Sequence, residues 1–140
     1  MKLLPYLNFN GNCAKAIAFY EKVFNAKTES CFWGDIGKFD PKMQCPKGKE
    51  KLVMHACMNI ADGVTFQLAD CEDTGKDVGT NICLQLTYKT ANECKSVYEA
   101  LKVGGKVLCK LAPTFYAPLY ADLIDKFGIR WSIIQDNPAQ

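Results

Sequence analysis

PYLNFN (Pro5–Asn10) and CAKAIAFYEKVF (Cys13–Phe24) decide the fold, because the same kind of pair comes back as ICLQLTY (Ile82–Tyr88) and ANECKSVYEAL (Ala91–Leu101). In each copy, a short strand-like stretch is followed by apolar residues at helical spacing. An internal repeat of this length indicates a duplicated structural module. We therefore expect the two halves of the chain to fold alike.

Three further strands are predicted in each copy, so each module has the order βαβββ and the fold class is α+β. The first module is expected to contain a strand near Leu4–Phe9, the helix Cys13–Phe24 and strands at Ala26–Trp33, Lys51–Ile60 and Val64–Ala69. The second is expected to contain a strand at Ile82–Tyr88, the helix Ala91–Leu101 and strands at Lys106–Leu111, Phe115–Ile124 and Ile129–Gln135. We expect one domain, 1–140, with modules at 3–70 and 80–136, a boundary at Cys71–Gly79 and a frayed tail at Asn137–Gln140.

Particular residues are predicted to end these elements. Asn12 is expected to cap the first helix by accepting backbone N–H bonds, and Asn25 to end it in a left-handed conformation. Turns are expected at Ala61–Gly63, Gly104-Gly105 and Asp125–Gly128.

Two segments depart from regular patterns. Gly34–Glu50 is a long Gly-, Pro- and Lys-rich loop, which is typical of a functional lid or a mobile spacer. Pro118 interrupts Phe115–Ile124, so this strand is expected to lie at a sheet edge or to carry a bulge. An edge strand there would suit pairing between two copies of the chain.

The composition argues against several classes of function. The 140 residues carry a net charge of +2, which gives no electrostatic support for a nucleic-acid partner. No apolar run approaches the roughly 20 residues that cross a bilayer, so no membrane partner is expected. We interpret MKLLPYLNF at the N-terminus as the first strand rather than a signal peptide, and expect a cytoplasmic location. The eight cysteines include no CxxC motif, which argues against a zinc ribbon and favours reduced thiols.

Three segments carry a resemblance to a known family: PYLNFNGNCAKAIAFYEKVFNA at Pro5–Ala26, VMHACMNIADG at Val53–Gly63, and GGKVLCKLAPTFYAPLYADLIDKFGIRWSII at Gly104–Ile134. With its two βαβββ modules, the chain resembles the vicinal oxygen chelate superfamily, which includes glyoxalase I, extradiol dioxygenases and bleomycin-resistance proteins. It is most similar to the PhnB-like branch, which carries the label 3-demethylubiquinone-9 3-methyltransferase. The resemblance implies curved, cup-shaped mixed sheets with helices outside, a homodimer, and a cavity for a small molecule.

The same resemblance permits a test for a metal site. Metal-dependent members place His or Glu on the first and fourth strand of each module, and these positions fall near Pro5, Gln67, Cys83 and Ser132. None of the four is His, Glu or Asp, although divalent ions prefer such ligands. No cofactor is therefore predicted, and a divalent metal remains the alternative.

The methyltransferase label has no motif behind it. A binding site for S-adenosylmethionine usually needs a Gly-rich loop after a strand and an acidic residue for the ribose. The Gly-rich stretches Gly34–Gly37 and Gly104-Gly105 lack that context.

His55 is the only histidine and the candidate catalytic residue. Strand alternation predicts Val53, His55, Cys57 and Asn59 on one face, which could be the interior of the cup. His55 could serve there as a general base or as a metal ligand. The alternative is a half-buried structural histidine.

A second group of residues is expected to line the ligand cavity with aromatic and polar side chains: Trp33, Gln67, Cys83, Gln85, Tyr116, Trp131 and Ser132. The alternative for the aromatic members is a place in the core or in a dimer interface. Asp122, Asp125 and Arg130 are expected to form an ion pair near the last hairpin, with a structural role.

Three functions are compatible with these patterns. The first is a small-molecule-binding protein that holds its ligand in the cup without the usual metal. The second is a glyoxalase-type lyase, isomerase or dioxygenase that uses His55 and a non-standard metal set. The third and weakest is the methyltransferase of the family label. The sequence does not identify the ligand.

Overall fold

A computed structural model describes residue 1, residues 3–72, residue 79 and residues 81–136 of the chain. The tail Asn137–Gln140 and most of the boundary segment Cys71–Gly79 lie outside the described residues. The chain divides into two compact units, Met1–Asp77 and Val78–Gln140, and each is presented by itself. Among the described residues, no helix has the length and apolar character that crossing a membrane would require.

The first unit is a four-stranded mixed sheet with one long helix. Its elements are β1 (Tyr6–Phe9), α1 (Cys13–Phe24), β2 (Lys27–Phe32), a 3-10 turn (Trp33–Asp35), the one-turn helix α2 (Ile36–Phe39), β3 (Val53–Ala61) and β4 (Val64–Asp70). The strand order is β1-β4-β3-β2, with β1 parallel to β4 and the other pairs antiparallel. The 3-10 turn and α2 occupy the first part of the predicted long loop.

The second unit repeats this arrangement without the long loop. Its elements are β5 (Leu84–Tyr88), α3 (Ala91–Leu101), β6 (Lys106–Ala112), β7 (Tyr120–Ile124) and β8 (Arg130–Gln135). The order β5-β8-β7-β6 reproduces that of the first sheet, and β5 is parallel to β8. The predicted α+β class with two βαβββ modules is confirmed.

One face of each sheet is buried beneath the long helix of its own unit. In the first unit, α1 packs on β3 and β4, and the buried residues include Tyr20, Met58 and Leu68. In the second, α3 packs on β5 and β8, where Leu101 and Ile133 are fully buried. Each fully buried side chain of this size contributes about 1.5–3 kcal/mol relative to an exposed one.

The two long helices begin in different ways. Thr90 caps α3 in a capping box, because its side chain accepts the N–H of Glu93 while the Glu93 carboxylate accepts the N–H of Thr90. The prediction for Asn12 is wrong, since its side chain makes no capping bond to α1. Asp70 at the end of β4 takes that role, and its Oδ1 accepts the N–H of Cys13 at 3.0 Å.

The predicted turns are present. Asn25 ends α1 in the left-handed region at φ 49°, and Gly63 turns the β3–β4 hairpin at φ 73°. Gly104 adopts φ 72° before β6, and a Cβ on Gly105 would collide with the carbonyl of Ile124. Gly128 closes the last hairpin, where its N–H donates to the carbonyl of Asp125.

The expected edge position of Phe115–Ile124 is wrong. The strand β7 starts only at Tyr120, after Pro118, and lies between β8 and β6. Proline is excluded from a central strand because it cannot donate to the ladder, and starting the strand after Pro118 satisfies that requirement. The sheet edges in this unit are β5 and β6.

Asp70→Ala is expected to destabilise the protein by about 3 kcal/mol, because Asp70 accepts two charge-assisted hydrogen bonds. Its Oδ1 holds the start of α1, and its Oδ2 accepts the N–H of Val53 at 2.9 Å. Urea unfolding followed by circular dichroism measures the change. Asp62→Ala in the exposed β3–β4 turn is the control, with an expected loss below about 0.5 kcal/mol. Equal losses in the two variants would show that the Asp70 bonds contribute nothing.

Buried and exposed cysteines are expected to differ in reactivity. None of the eight cysteines forms a disulfide, and Cys13 and Cys94 are fully buried whereas Cys83 and Cys109 are exposed. Burial, assisted by the nearby Asp70 carboxylate, raises the pKa of Cys13 to about 12. Brief treatment of the native protein with N-ethylmaleimide, followed by peptide mapping, should label Cys83 and Cys109. Cys13 and Cys94 should react only after unfolding, and their labelling in the native state would contradict the packing of both helices.

Candidate functional site

Each sheet has a second face that its own helix does not cover, and this face carries polar side chains. In the first unit, the strand register aligns Tyr6, Gln67, Cys57 and Glu29 in one row across β1, β4, β3 and β2. Side chains alternate along a strand, so this row points away from the buried set that includes Met58 and Leu68. We call the face with this row, together with Cys31 and His55, the first helix-free face.

His55 lies on the first helix-free face, directly opposite Cys31 of β2. It is half-buried, and its ring centroid lies 6.0 Å from that of Tyr6 in an edge-to-face arrangement. The structure also brings Cys57 and Asn59 to this face, as predicted. Val53 is different, because it is fully buried.

A β-bulge explains the position of Val53. Cys31 pairs with His55, but the next residue, Phe32, pairs with Val53, so β3 contains one extra residue there. The bulge changes the phase of the alternation and turns Val53 into the core. The predicted grouping of Val53 with His55 is therefore wrong.

The second unit presents an equivalent row. Gln85, Ser132, Asp122 and Cys109 are aligned across β5, β8, β7 and β6. We call the face with this row, together with Tyr120 and Arg130, the second helix-free face. The Ser132 hydroxyl lies 3.4 Å from the Gln85 side-chain oxygen, which places the amide and the hydroxyl side by side.

An ion pair organises the second helix-free face. Arg130 donates from Nε to Asp122 Oδ1 at 3.0 Å and from a terminal nitrogen to Oδ2 at 2.5 Å. Asp122 is only 7% exposed, so this fork-shaped contact compensates a carboxylate largely removed from water. The predicted pair of Asp122 and Arg130 is confirmed.

Asp125 has the structural role at the last hairpin that was predicted for it. It is 3% exposed, and its carboxylate accepts the N–H groups of Phe127 and Ile129 and the indole N–H of Trp131. These bonds fix the last hairpin.

Burial and the Asp122 carboxylate set the electrostatics of this face. Desolvation and then Asp122 raise the pKa of the Tyr120 phenol, so it stays protonated. The same two causes raise the pKa of the Cys83 thiol, against a smaller opposing effect of Arg130. The hydrogen bonds that Arg130 donates to the Asp122 carboxylate raise the pKa of Arg130. The protonated Tyr120 phenol and the Cys83 thiol therefore lie beside one compensated ion pair.

The other predicted cavity residues have separate locations. Trp131 is fully buried, and its indole N–H donates to Asp125 Oδ2 at 2.8 Å, so it lies in the core of the second unit. Tyr116 is half-buried, with its ring centroid 5.0 Å from that of Phe115 and 5.8 Å from that of Tyr120. Trp33 lines a small cavity at one end of the first sheet.

The residues that the strand register places beside Gln67 and Ser132 differ from the ones expected at the superfamily's metal-ligand positions. Pro5 and Cys83 precede the strands, and the residues aligned with Gln67 and Ser132 are Tyr6 and Gln85. A phenol, two amides and a hydroxyl are poor substitutes for the imidazoles and carboxylates that such ions select. In the part of the chain that the structure describes, no three His, Cys, Asp or Glu side chains are grouped as metal ligands would be. The residues present do not fit the superfamily's metal site.

Sequence reasoning missed Tyr6, Glu29 and Cys109 on these faces. The internal repeat could have indicated these residues. Each row follows from strand pairing once the bulge in β3 and the first residues of β1 and β5 are known. It also missed the cavity beside Trp33, because that cavity depends on how three loops meet.

Comparison with known proteins identifies the family. Residues 1–134 match the family described as 3-demethylubiquinone-9 3-methyltransferase. The chain is 30% identical to the protein YjdN of Escherichia coli (strain K12), with 100% of both chains covered.

Solved structures give the same result for the fold. The protein PA1353 from Pseudomonas aeruginosa is 26% identical, with a TM-score of 0.81 over 97% of this chain and 99% of that one. A PhnB protein from Bacillus cereus, itself described as a 3-demethylubiquinone-9 3-methyltransferase, is 24% identical, with a TM-score of 0.78 over 97% and 100% of the two chains. Glyoxalase/bleomycin-resistance and fosfomycin-resistance proteins share the fold at 11–14% identity. The chain therefore belongs to the 3-demethylubiquinone-9 3-methyltransferase family, and it shares its fold with glyoxalase/bleomycin-resistance and fosfomycin-resistance proteins.

Proposed function

We propose that this protein binds a small, polar, uncharged organic molecule on its helix-free faces and does so without a divalent metal. The observation that carries the proposal is the content of the two rows. Near the positions where the resemblance to metal-dependent members places ligands, the rows hold Tyr6 and Gln67 in one unit and Gln85 and Ser132 in the other. These side chains donate and accept hydrogen bonds but do not hold a hard cation.

The electrostatics of the second helix-free face support an uncharged ligand. Asp122 and Arg130 compensate each other, so an anion would have to compete with Asp122 for the guanidinium. Tyr120 stays protonated beside them. A ligand amide or hydroxyl can be recognised by such groups without disturbing the ion pair.

Although the family is described as a methyltransferase, we do not propose methyl transfer for this chain. In this chain the segment between β1 and α1 is Asn10–Asn12, with a single glycine, and it offers no Gly-rich loop for a nucleotide. Binding of S-adenosylmethionine, measured by calorimetry, would instead support methyl transfer. The homodimer and the cytoplasmic location expected from the sequence stay predictions.

Ligand-observed NMR tests the proposal with benzamide as the neutral probe and benzoate as its charged counterpart. The saturation-transfer signal of benzamide should be stronger than that of benzoate. Gln67→Leu or Ser132→Ala should weaken its binding about fivefold, the size of one neutral hydrogen bond. Glu99→Gln on the exposed surface of α3 is the control and should change nothing. Preference for benzoate, or equal binding by all variants, would contradict the proposal.

A metal-assisted enzyme is the second candidate, because His55 lies opposite Cys31 and close to the ring of Tyr6 on a polar face. An imidazole in this position could act as a general base. Under the first proposal, mass-spectrometric metal analysis of the purified protein should find Zn, Fe, Mn and Ni well below one equivalent. One tightly held equivalent that disappears in His55→Ala, but persists in Asn59→Ala, would instead establish the enzyme candidate.

A further inference from the structure

The first unit contains a cavity of about 290 Å³ that uses none of the residues of the helix-free faces. It lies at the end of the sheet where β1 and β4 finish and β3 begins. Its lining residues come from the segments around these strand ends and from the long loop: Asn10, Gly11, Trp33, Lys49, Leu52, Asp70, Cys71 and Glu72. The volume is close to the lower limit of pockets that enclose small organic molecules, about 300 Å³.

Two charged side chains of opposite sign meet in this cavity. Lys49 Nζ lies 2.6 Å from Glu72 Oε1, and the two side chains are 31% and 70% exposed. Asp70 also lines the cavity, but its two oxygens accept backbone N–H groups and anchor α1 and β3. Lys49 and Glu72 are therefore the charged groups that can turn toward a ligand.

One part of the remaining wall of the cavity is apolar and aromatic, and Asn10 adds a polar side chain elsewhere in the lining. Trp33 and Leu52 are half-buried there, and the indole supplies a large surface for an apolar body. The cavity thus combines an ammonium, a carboxylate and an apolar wall within a space for one small molecule.

From this combination we infer that the cavity binds a free amino acid with an apolar or aromatic side chain. The carboxylate of the ligand pairs with Lys49, its ammonium pairs with Glu72, and its side chain packs on Trp33 and Leu52. A zwitterionic ligand breaks the exposed ion pair between Lys49 and Glu72 and forms two ion pairs in its place, so the net charge of the site is unchanged. A ligand with a single charge leaves Lys49 or Glu72 without its partner. This inference does not depend on the function proposed for the helix-free faces.

The experiment compares three probes that share a phenylethyl body and differ in the charged groups it carries: L-phenylalanine, phenethylamine and 3-phenylpropionate. Calorimetry or Trp33 fluorescence should show L-phenylalanine binding about tenfold more tightly than either analogue. Trp33→Phe identifies which part of the fluorescence change comes from this cavity, since the other tryptophan, Trp131, is fully buried.

Two substitutions separate the roles of the charges. Lys49→Met should weaken L-phenylalanine and 3-phenylpropionate but strengthen phenethylamine, because Glu72 loses its competitor. Glu72→Gln should weaken L-phenylalanine and phenethylamine but strengthen 3-phenylpropionate. Far-UV circular dichroism and urea unfolding verify that both variants are folded.

The matched control is a similar ion pair on α3 that does not line this cavity. Lys102 Nζ lies 2.7 Å from Glu99 Oε1 on α3, with exposures of 37% and 62%. Lys102→Met and Glu99→Gln should leave all three affinities unchanged. The inference is overturned if L-phenylalanine gives no signal up to roughly 10 mM, beyond which site-specific affinity loses meaning. It is also overturned if a singly charged analogue binds as tightly, or if the control pair gives the same changes.

Discussion

The structure depends on the burial of one face of each four-stranded sheet beneath the single long helix of its own unit. Because side chains alternate along a strand, this burial assigns every second residue to the core and leaves the others on the opposite face. A slip of one residue would expose Met58 and Leu68 and bury Gln67, at a cost of several kcal/mol. The polar rows are therefore held in register by the apolar residues behind them.

Much of this organisation could be predicted from the sequence, and the reason is the regular spacing of apolar residues. Both long helices begin and end where the pattern places them, at Cys13–Phe24 and Ala91–Leu101. The prediction fails where a local feature of the backbone outweighs the spacing of the apolar residues. A bulge changes the phase of β3 at Val53, and Pro118 delays the start of β7 instead of marking an edge. The cap of α1 comes from Asp70, which is distant in sequence and so has no local signal.

The candidate site was less predictable than the fold, for a physical reason. Which residues face one another across parallel strands depends on register: a shift of one position replaces Pro5 by Tyr6, and a shift of two replaces Cys83 by Gln85. Residue type alone suggests Trp131 as part of a ligand cavity. In the structure its indole N–H donates to Asp125, and the side chain is fully buried. The same fold occurs in a fosfomycin-resistance protein from Listeria monocytogenes that was solved with Mn(II), and the chemistry of a chain with this fold depends on the side chains that it places there.

The pairing of the first strand of each unit with its last has a consequence for synthesis on the ribosome. The strand β1 finds its neighbour only when β4 has been made, and β5 must wait in the same way for β8. Contacts between residues so far apart in sequence form late and slowly. Each half of the nascent chain therefore has to emerge almost completely before its sheet can close, and the first half can close while the second is still being translated.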